Sequence, residues 1–157
     1  MSAESHPEAA RRLFLEGANC AQAVLAAFAD EAGLDPATAY RIGAGLGGGM
    51  GRLREVCGTF SAMVILAGLL RGSADPADKA AKDRQYELTQ EMARRFRERN
   101  GSIVCRELLG LPTAHRDGPV SEARTAAYYR KRPCADLVYD AAALLDEMLG
   151  EDKAQTQ

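Results

Sequence analysis

Apolar residues recur along the chain at three- and four-residue spacing and nowhere alternate one by one, which predicts helices and no strands. Leu13 and Phe14 mark the inner face of a first helix over about 6–16, ended by Gly17. Asn19 is placed to cap a second helix, with Gln22 three residues on completing a capping box and Val24, Leu25 and Phe28 forming its apolar face. Asp35-Pro36 opens a third helix to about Gly43. The most apolar stretch, Cys57 to Arg71, has Phe60, Met63, Val64, Leu66, Ala67 and Leu70 nearly all round and predicts a buried central helix. A long charged helix is expected from Asp75-Pro76 to about Arg99, with Tyr86, Leu88, Met92 and Phe96 as a sparse stripe and Asn100-Gly101 as its stop. Ser102 is expected to cap a short helix over 103–109. Two more helices are expected over about 120–130 and 133–149. The pattern predicts an all-α, single-domain bundle over 1–150, with seven to eight helices around the apolar helix at about 57–71. Residues 151–157 are expected to form a polar C-terminal tail.

One segment breaks the helical pattern. Gly43-Ala44-Gly45-Leu46-Gly47-Gly48-Gly49-Met50-Gly51-Arg52 holds too many glycines for a stable helix, so a loop must precede the apolar helix. Its first six residues match G-x-G-x-x-G, but the dinucleotide fingerprint needs a preceding strand and a βαβ unit, and neither is present in the pattern. The expected role is close approach of backbone to a neighbouring site, with N–H groups turned toward sulfur or a bound anion. The alternative is a permissive turn between packed helices.

Composition narrows the function classes. The formal net charge is −2, which gives no basis for nucleic acid or an anionic membrane as partner. The apolar run from Phe60 to Leu70 is too short to cross a bilayer, and the polar, acidic start carries no export signal. A cytoplasmic location is therefore expected. In that reducing setting, spaced cysteines serve more often as metal ligands, catalytic thiols or buried small hydrophobes than as disulfides.

Cys20, Cys57, Cys105 and Cys134 each fall at a predicted helix start, and arginines or lysines lie close in sequence to three of them: Arg52 and Arg54, Arg106, and Arg130, Lys131 and Arg132. Helix N-termini and cations both lower thiol pKa, so thiolate or a metal-bound equivalent is the expected state. His115 in its polar loop, Tyr128, Tyr129 and Tyr139 carry no such signal and are expected to be solvated or packed.

The ordered elements Asn19-Cys20-Ala21-Gln22-Ala23-Val24, Gly47-Gly48-Gly49-Met50-Gly51-Arg52, Cys57-Gly58, Cys105-Arg106-Glu107-Leu108-Leu109-Gly110 and Cys134 resemble the redox-active protein family named for its C_GCAxxG_C_C cysteine signature. The resemblance covers about Phe14 to Leu149. One element departs from the family pattern: C-G-A-x-x-G reads Cys57-Gly58-Thr59-Phe60-Ser61-Ala62, with Thr and Ala in place of Ala and Gly. The resemblance implies a small bacterial or archaeal redox protein without a defined substrate. It also implies a helical module similar to that of split-Soret-type cytochromes. Covalent haem is not expected, because the chain has no C-x-x-C-H motif and only two histidines, His6 and His115.

Three uses of the four thiols stay open at this level. Together they could hold an iron–sulfur cluster or single metal ion, although no C-x₂-C knuckle is present. Two could cycle between dithiol and disulfide, with Cys57 as the expected attacking thiol beside the basic glycine loop. Alternatively, they pack as structural residues of a non-catalytic metal-binding or scaffold module. An oxidoreductase or electron-transfer protein with a redox partner protein, and a homodimer as one assembly, follow from the first two. Gly47, Gly48, Gly49, Gly51, Arg52, Gly58 and Arg106 are the expected contacts of any bound group.

Overall fold

A computed structural model describes residues 3–156, with side chains described through 151. Among the described residues there are eight helices and no strand: α1 (His6–Leu15), α2 (Cys20–Ala27), α3 (Pro36–Gly43), α4 (Gly58–Arg71), α5 (Lys79–Asn100), α6 (Cys105–Leu108), α7 (Ala126–Lys131) and α8 (Cys134–Thr156). None of the helices is long and apolar enough to cross a membrane.

The first three helices begin where local chemistry dictates. Asn19 Oδ1 accepts from the Gln22 amide at 2.8 Å and Gln22 Oε1 accepts from the Asn19 amide at 3.0 Å, a closed capping box. Ser5 and Glu8 form the same motif at the start of α1, and Asp35 caps α3 through Thr38. These caps hold α2 among α1, α3, α4 and α8. Its Ala21, Ala23, Val24 and Leu25 are fully buried. α8 runs along α1, and α4 packs on α2, α5 and α8 with Phe60, Ala62, Met63, Leu66 and Ala67 inward.

His6 pins three elements together. Its Nε2 lies 2.8 Å from Glu31, its Nδ1 2.8 Å from Asp146, and its ring stacks on Phe28 at 4.0 Å. Burial opposes its charge, but the hydrogen bonds to both carboxylates outweigh it and raise its pKa.

Four boundaries differ from expectation. α5 starts at Lys79, because Asp75 spends its carboxylate on the Ala77 amide in a turn and Asp78 supplies the cap to Ala81. Ser102 Oγ takes the Val104 amide, yet the chain stays extended one residue further and α6 begins at Cys105. Residues 120–125 are not helical, and α7 starts after the Thr125 cap. α8 continues through Gly150 to Thr156, so most of the expected tail prolongs the last helix; Gln157 lies outside the described residues.

Candidate redox site

All four cysteines line one cavity of about 270 Å³. Cys20 opens α2, Cys57 sits immediately before α4, Cys105 opens α6 and Cys134 opens α8. None is in a disulfide. Cys57 and Cys105 are buried, and Cys20 and Cys134 are partly exposed. A single antiparallel bridge between Val56 and Val104 sets two of these positions: the Cys57 amide donates to Ile103 O at 2.7 Å and the Cys105 amide to Glu55 O at 2.6 Å.

The glycine loop forms the opposite wall by close approach. A Cβ on Gly47 would come within 2.7 Å of Asn19 Cβ. One on Gly58 would meet Leu46 O at 2.6 Å and Cys20 Sγ at 2.8 Å. Gly49 has φ +68° and lies against Cys105, where a Cβ would stand 2.6 Å from its neighbour's. The loop coils tightly, with Met50, Arg52 and Arg54 also at positive φ. The amides of Gly51, Arg52, Leu53, Arg54 and Glu55 all bond to loop carbonyls, so these N–H groups are spent on the coil rather than offered to sulfur.

Burial pushes three of the thiols away from the expected thiolate. Burial pushes the Cys57 thiol up to about 12, with neighbouring Cys20 adding to it; the Thr59 side chain and the Thr59 and Phe60 amides only partly oppose the rise. Cys134 is also pushed up to about 12, by burial and then by the other three cysteines. Burial raises Cys105 despite Arg54 Nη1 at 3.7 Å from its sulfur. Helix starts and cations are present, as the sequence indicates, but desolvation outweighs them. Cys57, expected as the attacking thiol, is among the most deeply buried of the four.

A non-helical segment, residues 110–125, lends Pro119, Ser121, Glu122 and Arg124 to the cavity lining and carries residues that spacing along the chain did not reveal. Asp117 accepts from Arg54 Nε at 2.7 Å and pairs with Arg52 at 3.3 Å and His115 at 3.1 Å. Arg54, followed by His115, holds its carboxyl down to about 2. Arg52 also donates to Gly118 O at 3.1 Å and to Val120 O. Arg124 and Arg132 line the cavity beside Tyr128. Of the expected contacts, Gly47, Gly48, Gly51, Arg52 and Gly58 line it. Gly49 lies behind Cys105, and Arg106 is occupied with the carbonyls of Leu53, Pro112 and His115. His115 Nε2 lies 3.1 Å from the Asp117 carboxylate rather than free in solvent.

Among the described residues, no three His, Cys, Asp or Glu side chains are grouped to hold one metal ion. All four cysteines instead line one shared cavity.

Fold and site together define a small all-α protein with a four-cysteine cavity. No curated protein and no solved structure matches the chain. A family model does match, over residues 18–148, which include all four cysteines and the glycine loop. The chain belongs to that family, described as "Putative redox-active protein (C_GCAxxG_C_C)".

Proposed function

We propose that the four cysteines form one dithiol–disulfide site in which Cys20 is the sulfur shared by the others. The observation that supports this is electrostatic and geometric at once. Cys20 adds to the upward push on Cys57, Cys105 and Cys134, and its Sγ lies against Gly58, next to Cys57. In the reaction, a cysteine loses its proton and attacks an external disulfide. That step forms a protein–ligand mixed disulfide and expels one thiolate, which takes up a proton. A second cysteine then attacks the protein sulfur of the mixed disulfide and expels the second thiol. Two protein thiols are oxidised to one disulfide while the ligand disulfide is reduced to two thiols. Burial disfavours the thiolates of Cys57, Cys105 and Cys134, so the reduced form gains little of the thiolate stabilisation that makes a strongly oxidising disulfide. The site is accordingly a reductant.

Anaerobic purification, metal analysis and thiol counting test the proposal. The expected protein is colourless, loses two titratable thiols per chain on mild oxidation, recovers them with dithiothreitol, and shows Cys20 in the dominant linkage by peptide mapping. Cys20→Ser is expected to block that linkage. Stoichiometric iron and sulfide with absorbance between about 320 and 450 nm would replace this reading with a cluster. Four thiols that survive oxidation, with all Cys→Ser variants behaving like the parent, would assign the cysteines to packing.

A further inference from the structure

The thiol cavity has a charge imbalance among its ionic side chains. Four arginines, Arg52, Arg54, Arg124 and Arg132, line it. Among the described residues two carboxylates answer them: Asp117 serves Arg52 and Arg54, and Glu122 serves Arg132 and, at 3.8 Å, Arg52. Arg124 has no ion-pair partner among the described residues. Its guanidinium donates to Phe14 O and Ala18 O, each at 3.0 Å, and to the Tyr129 hydroxyl at 3.4 Å, while its face covers Phe14 at 4.5 Å and Tyr128 at 5.0 Å. These neutral partners fix the cation in place without cancelling its charge. Elsewhere the chain is acidic on balance, so the positive cavity is local.

A second observation points the same way. Thr59, at the start of α4, is fully buried and lines the cavity beside Cys57, where its hydroxyl and the helix dipole both favour negative charge.

Resting on the dithiol–disulfide reading, we propose that the external disulfide is a small anionic molecule bearing carboxylates, held at Arg124 with its sulfur–sulfur bond presented to the cysteines. The carboxylate supplies the charge that Arg124 lacks, and a cavity of about 270 Å³ has room for a small ligand. Electron and proton balance follow the exchange given above: the anionic disulfide takes two electrons and leaves as two carboxylate-bearing thiols.

Three disulfides with the same two-carbon arms on each sulfur and different ends test this directly: dithiodipropionate (dianionic), bis(2-hydroxyethyl) disulfide (neutral) and cystamine (dicationic). Each oxidation rate is divided by the rate of that disulfide with a free thiol, which removes differences in leaving-group reactivity. The expected order is anionic, then neutral, then cationic, with at least about tenfold between the first two at low ionic strength, narrowing as salt is added. Arg124→Gln is expected to collapse the anionic-to-neutral ratio and Arg124→Lys to keep most of it. Because the ratio is taken within each variant, a general loss of folding or reactivity cancels. The salt dependence of the parent protein gives the same test if Arg124→Gln does not fold. Oxidation at equal normalised rates whatever the charge would overturn the anionic ligand and leave the dithiol site standing. No protein disulfide with any of the three would overturn the dithiol site itself.

Discussion

The seam where α1, α2 and α8 meet and the wall where the glycine loop meets the cysteines are both tightly packed, but they achieve closeness in different ways. In the seam, alanines at 10, 21, 23, 141 and 142 are fully buried beside Leu25, Leu144 and Leu145. There, small and large side chains interlock over many contacts, and each residue shares the task with its neighbours. In the wall, single backbone positions decide the geometry: Gly47 against Asn19, Gly49 against Cys105, Gly58 against Cys20. The seam resists through number and the wall through exclusion. A seam substitution should therefore cost stability broadly, whereas a wall substitution should disturb the thiols in particular.

The largest effect is expected away from the wall. Phe96 is fully buried and meets Phe60 at 5.9 Å, so Phe96→Ala should lower unfolding free energy by about 4 kcal/mol in urea titrations. Thiol pairing in the remaining folded protein should not change; altered pairing would show that bundle and wall are not separable. Next comes Gly49→Ala, which combines a left-handed backbone with overlap on Cys105 and should cost about 3 kcal/mol. Gly110 has a similar φ of +66° in open space, and Gly110→Ala should cost only about 1 kcal/mol. Equal losses at the two glycines would remove close approach as the reason for Gly49. The smallest effect concerns Asp117. Its carboxyl is held down to about 2 in the folded protein against an ordinary 3.8, so its contribution is complete above pH 4 and disappears as pH falls toward 2. Asp117→Asn should flatten the acid limb of stability by about 1 kcal/mol, allowing for screening by solvent. An unchanged limb would mean that the segment is held without Asp117, by Arg52, Arg106, Arg124 and Arg132.

The seam was far more legible in the sequence than the wall. Asn19 with Gln22, and Asp35 with Pro36, signal their helices through contacts within three residues, and the structure keeps both. Asp75-Pro76 carries the same kind of signal but forms a turn, because Asp78 three residues later competes as a cap. The segment before α7 is rich in helix formers, yet Arg124 ties it to the carbonyls of Phe14 and Ala18, partners more than a hundred residues away. The grouping of the four cysteines could be inferred from their shared place at helix starts. The upward push on Cys57, Cys105 and Cys134 could not, since it depends on burial, which no local spacing encodes. Arg54 with Asp117, and the lone charge of Arg124, were hidden for the same reason.

The bridge between Val56 and Val104 bears on how the chain folds. It joins segments separated by all of α4 and α5, and closing so long a loop costs chain entropy that two short extended pieces cannot repay by themselves. Helical contacts near in sequence form first, and α4 and α5 must pack before the bridge gains anything. The thiol cavity is thus expected to assemble after the transition state for folding. Truncations such as Val56→Ala and Val104→Ala should hasten unfolding and leave the folding rate nearly untouched, which stopped-flow chevrons on the two variants would reveal.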